Sequence, residues 1–125
     1  MLALACAAPV AAASPELDYT LNCAGCHRPD GVGTPGSVPP LAGSVGRFAT
    51  VPGGREYLAR VPGVATSALD DASLAAVLNW MLDHFGDGAR AVPPYTAEDV
   101  GRLRREPLVN VERARRELIE KMEGR

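Results

Sequence analysis

After an alanine-rich apolar run from Leu2 to Ala13, the apolar positions of this chain recur at helical rather than alternating spacing. Leu17, Leu21 and Ala24 lie three and four apart. They follow Ser14-Pro15-Glu16, which supplies a capping hydroxyl, a proline at the first helical position and a carboxylate facing the helix dipole. A helix from about Ser14 to Gly25 is predicted, stopped by Pro29-Asp30-Gly31. From Asp30 to Gly54 glycine and proline are too dense for a helix or strand interior. Val32, Val38, Leu41, Val45, Phe48 and Val51 punctuate that stretch, so an ordered loop lying on an apolar surface is expected. Arg55 to Arg60 predicts a short helix, halted by Val61-Pro62-Gly63. Asp70-Asp71 then opens the most regular segment, in which Leu74, Val77, Leu78, Met81, Leu82 and Phe85 share one face and Gly86 follows as a cap. Trp80 and His84 flank that face.

Pro93-Pro94 separates a tail. Thr96-Ala97-Glu98-Asp99 predicts a capped start, with Val100 and Leu103 making a short helix that Pro107 ends. Asn110 caps a last helix, where Val111, Ala114, Leu118, Ile119 and Met122 oppose Arg113, Arg115, Arg116, Glu117, Glu120 and Lys121, a polar side read as solvated. No strand and no internal repeat emerges, and the predicted class is all-α.

Composition changes this picture in two ways. A chain of 125 residues makes one small domain, and with only two Phe, three Tyr and one Trp its interior would be helped by a cofactor. The 13 basic and 15 acidic residues nearly balance, which argues against nucleic-acid binding, where a basic stripe is expected. The Leu2 to Ala13 run is shorter than the ~20 apolar residues of a membrane span and ends in small residues, as the cleavage zone of a signal peptide does. It lacks the positive n-region, so residues 1–13 are expected to be the remnant of a truncated signal, cleaved near Ala13. Cys6 lies within it, with Ala3 a poor residue for a lipoprotein signal.

The chemistry concentrates in Cys23-Ala24-Gly25-Cys26-His27, the Cys-x-x-Cys-His spacing of c-type haem attachment. On a helix positions i and i+3 share a face, so both thiols can reach the vinyl groups at one edge of a porphyrin while His27 ligates iron. A thioredoxin-like disulfide would want a βαβ surround. A zinc site would need four ligands, and only Cys6 and His84 remain. No acid–base pair or nucleophile constellation is visible elsewhere.

With these residues the chain resembles a class I c-type cytochrome, small, soluble and mono-haem. The likeness runs from about Ser14 to Phe85. It rests on the haem motif, on Val38-Pro39-Pro40-Leu41 and on the segment Leu69 to Trp80. The resemblance implies a small helical cytochrome c-like fold around one covalent haem c over residues 14–92, with a helical C-terminal extension at 93–125. It further implies that the carbonyl of Pro39 accepts from the second ring nitrogen of His27 and orients it, and that Trp80 packs the terminal helix of the core on the first helix, near Leu17 and Leu21.

The family's second axial ligand is usually a methionine on the loop before that terminal helix. Here the stretch reads Val61-Pro62-Gly63-Val64, and valine cannot bind iron. Met81, on the apolar face, is the first candidate for the sixth position, and core filling is its competing role. His84 is the alternative, and Met122 would require the tail to fold back over the haem. An open iron is the remaining case. The implied function is a periplasmic, exported electron carrier, not an enzyme, passing single electrons from a dehydrogenase to a downstream cytochrome or oxidase. The alternatives are a five-coordinate haem enzyme or sensor of peroxide, NO or CO, and a permanent cytochrome subunit of a dehydrogenase complex. Redox proteins are the expected partners, with no nucleic acid and no transmembrane span.

Overall fold

Most of the longer helices begin where a capping side chain meets the first turn. The computed structural model describes residues 12–87 and 92–125, so the signal-like run, Cys6 included, lies outside them up to residue 11. Helix α1 (Pro15–Asn22) starts behind Ser14, whose hydroxyl accepts from the Leu17 amide at 3.2 Å. A single turn, α2 (Ala24–His27), follows across Cys23. Helices α3 (Val45–Thr50), α4 (Gly54–Arg60) and α5 (Pro62–Ala65) are short. The long α6 (Asp71–Phe85) is capped by Asp70, which accepts from the Ser73 amide at 2.7 Å. Helix α7 (Ala97–Leu103) opens with a reciprocal Thr96–Asp99 capping box, and α8 (Val111–Met122) with Asn110. Among the described residues no strand forms beyond one isolated bridge, Thr34 to Val38. None of the described helices is long and apolar enough to cross a membrane.

Helix α6 is the centre of the main core. Its Leu74, Val77, Leu78, Met81, Leu82 and Phe85 are buried as the periodicity predicts, together with Tyr19, Leu41, Val45, Ala59 and, from the tail, Tyr95, Val100 and Leu103. Helix α7 packs on α6, and α8 packs on α3 and α4. A second cluster joins Phe48, Tyr57 and Leu118. The tail is further laced to the body by Arg104, which donates to the carbonyls of Ala65, Ser67 and Leu69 and pairs with Asp71 at 3.0 Å.

Two expectations are corrected. The inward face of α1 is not Leu17 and Leu21, which are 47% and 72% exposed, but Tyr19, at 2%. An aromatic ring buries more area than a leucine, and the phenol finds a partner, the carbonyl of Arg28 at 2.7 Å, in a part-buried bond. The glycine-rich stretch is also not all loop, since α3 forms inside it with Val45, Phe48 and Ala49 buried at helical spacing. Gly46 is not a breaker there. It marks where α3 meets the end of α6, for a Cβ on it would lie 2.8 Å from the Gly86 carbonyl oxygen.

Candidate haem site

The site is built on the joint between α1 and α2. Amides of Cys26 and His27 both bond the Cys23 carbonyl, at 3.2 and 3.0 Å, closing the turn that carries the two thiols. Neither Cys23, partly buried, nor Cys26, exposed, is in a disulfide. Burial first, and the Asp18 carboxylate second, push the Cys23 thiol above its ordinary value.

After His27 the chain reverses sharply. Arg28 adopts φ 69°, the only non-glycine residue with positive φ among those described, and Gly31 and Gly33 follow in the same region. Gly33 is required, because a Cβ would sit 2.4 Å from the Val38 carbonyl oxygen. The reversal lets Gly33 donate to the His27 carbonyl at 3.0 Å and Leu41 to that of Gly31 at 2.7 Å. Thr34 donates its hydroxyl to the Cys26 carbonyl at 3.3 Å. These bonds bring the carbonyl of Pro39 to 3.2 Å from Nδ1 of His27. With Nδ1 donating there, Nε2 is left as the lone-pair nitrogen. Burial holds the imidazole below its usual pKa, against the opposing pull of the Pro39 carbonyl, and so favours the neutral ring that a metal needs.

His27 lines an apolar cleft with a cavity volume of about 70 Å³. Leu41 and Val45 come from the first half of the chain, Leu58, Val61 and Val64 from α4 and its sequel, and Leu78, Met81 and Leu82 from α6. Met81, only 6% exposed, therefore shares the cleft with His27. His84 does not line it. Its exposed ring stacks on Trp80 at 4.6 Å between centroids and meets Phe85 edge-on at 4.7 Å. Met122 packs against the Phe48–Tyr57–Leu118 cluster instead. Trp80, half-buried, faces α1 through Tyr19, at 5.1 Å, rather than through Leu17 and Leu21.

Helix α8 also reaches the cleft, through Arg115. The expectation of a wholly solvated polar side fails at this residue. The signal was present in the spacing, since Val111, Arg115, Leu118 and Met122 fall on one stripe, but a charge on an apolar stripe reads as solvent-facing until something anionic or aromatic lies beneath it. Tyr57 on α4 and Tyr95 before α7 complete the lining and were likewise not singled out.

Two cytochromes c-552 of Thermus thermophilus are each 40% identical to this chain over 107 residues. The matches cover 70% of the chain and 82% and 72% of those proteins. The chain belongs to the class I c-type cytochromes. No protein-family model matches it. As a c-type cytochrome it is an electron carrier with the small all-α fold of the family, and the family implies covalent haem c. The residues present fit that group: two unoxidised thiols one turn apart, an imidazole fixed through Nδ1 with Nε2 available, and an apolar cleft beside it.

Proposed function

We propose that this cytochrome is an exported, mono-haem carrier that takes one electron at a time from a dehydrogenase and passes it to a downstream cytochrome or terminal oxidase. In this reading residues 1–13 belong to a cleaved signal, 14–92 carry the haem and 93–125 form a helical extension. Cys23 and Cys26 form the thioether links, and His27 ligates the iron, oriented by the Pro39 carbonyl. Trp80 braces α6 on α1. Met81 takes the sixth position. The bound haem supplies one-electron chemistry at its iron. The protein's own residues hold that group, exclude water with an aliphatic wall and supply the thioether. Covalent attachment, which takes place outside the cytoplasm, supports export.

The observation that carries this reading is the shared cleft: the imidazole of His27, tied at Nδ1, and the buried thioether of Met81 line one apolar space. The test is the visible spectrum of protein matured in an exporting host. A weak far-red band in the oxidised form, lost in Met81→Ala together with a lower potential and new access to carbon monoxide, is expected. A Met81→Ala spectrum like that of the wild type would sink the assignment.

One observation favours a second reading. Where α5 replaces the usual ligand loop, Val61 and Val64 line the cleft and offer no donor. Iron with an open sixth position, reacting with peroxide, NO or CO, is the outcome if Met81 only packs.

A further inference from the structure

The segment from Val61 to Leu69 stands where the family usually carries its second iron ligand, and it offers no donor. Val61 and Val64 nevertheless line the cleft beside His27. Little polar bonding ties this wall to the rest of the molecule. Among the described residues the hydrogen bonds of residues 62–69 stay within the segment, as where the amides of Val64 and Ala65 both bond the Val61 carbonyl at 2.9 Å, with one exception. The exception is Arg104. Its side chain, 16% exposed, donates to the carbonyls of Ala65 at 3.1 Å and Leu69 at 2.8 Å and to that of Ser67. One planar guanidinium from the tail thus spans the far half of the segment.

Helix α7 sets Arg104 in place. A Cβ on Gly101 would lie 2.5 Å from Oδ2 of Asp71, so α7 comes close to the start of α6, and the guanidinium just beyond pairs with Asp71 at 3.0 Å. An ion pair alone would need no more than that. Yet all three nitrogens of the guanidinium bond backbone oxygens of the segment, and only Nη1 also meets the carboxylate. We propose that Arg104 is a positioning residue for the cleft wall: by gripping Ala65, Ser67 and Leu69 it keeps Val61 and Val64 closed on the cleft and slows the entry of small ligands to the iron. The tail thereby controls access to the site. The proposal rests on the haem reading above, though not on Met81 as the ligand.

The experiment uses full-length protein matured in an exporting host. The parent is Met81→Ala, whose iron is open whether or not the thioether binds it, and Arg104→Gln, Arg104→Lys and Asp71→Asn are each added to it. Acid–acetone extraction comes first: haem released from the parent condemns the attachment reading, not this one. The association rate of carbon monoxide with the reduced protein and the hydrogen exchange of residues 63–69 are then measured. Arg104→Gln is expected to speed both about tenfold, the factor carried by one or two net hydrogen bonds. Arg104→Lys keeps a charge facing Asp71 but cannot reach three carbonyls, so it is expected to be fast as well. Asp71→Asn leaves the grip on the carbonyls and is expected to match the parent. A parent-like carbon monoxide rate in Arg104→Gln or Arg104→Lys overturns the proposal, and so does an Asp71→Asn rate as fast as theirs, which would leave only an ion pair bracing α7. If the Gln variant does not mature, the Lys variant decides alone.

Discussion

Tyr19 joins three parts of the protein. Its ring meets Trp80 at 5.1 Å and Phe85 at 5.5 Å, and its hydroxyl donates to the carbonyl of Arg28 just after the haem motif. Burial, followed by the charges of Cys23 and Asp30, pushes the phenol up to about 12, so it stays a donor across the physiological range. Tyr19→Phe should cost about 0.5–1.5 kcal/mol, the net value of one hydrogen bond, and Tyr19→Ala about 3–5 kcal/mol, both read from urea unfolding of the holoprotein. Trp80→Ala should cost less than Tyr19→Ala because the indole is only half-buried. The reverse order would mean that Trp80, not Tyr19, anchors α1. At the motif itself, changing Cys23 and Cys26 to Ala together should leave a largely unfolded chain without covalent haem, and retention of haem through acid–acetone would contradict the attachment.

Helix α6 holds its place through its ends as much as its face. Asp70 accepts from the Ser73 amide, and that bond first, with the Ser73 hydroxyl second, holds its carboxyl below the usual carboxylate range. The folded state therefore favours the charged form. The stabilisation is complete above the unfolded pKa near 4 and is lost as pH falls through the lower folded value. Asp70→Asn keeps a capping oxygen but not the charge, so its stability should decline less across that acid window than that of wild type, with the share of Asp99, also held low by its bonds to Thr96, remaining. Parallel pH–stability curves for the two proteins would refute the cap's role. At the other end α6 meets α3 at Gly46, and Gly46→Ala should destabilise by about 1–3 kcal/mol through overpacking against Gly86, seen as a lower thermal midpoint.

The tail belongs to the body of the molecule. Tyr95, Val100 and Leu103 sit in the main core, and Leu118 is buried against Phe48 and Tyr57. Leu118→Ala should cost about 2–5 kcal/mol in denaturant titration of the holoprotein, and a neutral change would show that α8 is dispensable. The helical class, the caps at Ser14, Thr96 and Asn110, the inward face of α6 and the haem motif could all be read along the chain, because each depends on residues within four or five positions of one another. The inward residue of α1 could not, since Leu17, Tyr19 and Leu21 are all apolar enough to turn in, and only Trp80, Phe85 and the Arg28 carbonyl select the tyrosine. The same limit applies to α3, where Gly46 looks like a breaker until Gly86 lies against it. It applies to the placement of Met81 and His84 as well, two side chains nearly one turn apart on α6: the thioether lines the cleft with His27, and the imidazole stacks on Trp80 at the surface. Local hydrogen bonds and periodicity are written in neighbouring residues, whereas which of several apolar or charged groups faces a shared space is decided by partners far along the chain, as when α8 brings Arg115 to the wall that Tyr57 and His27 already line.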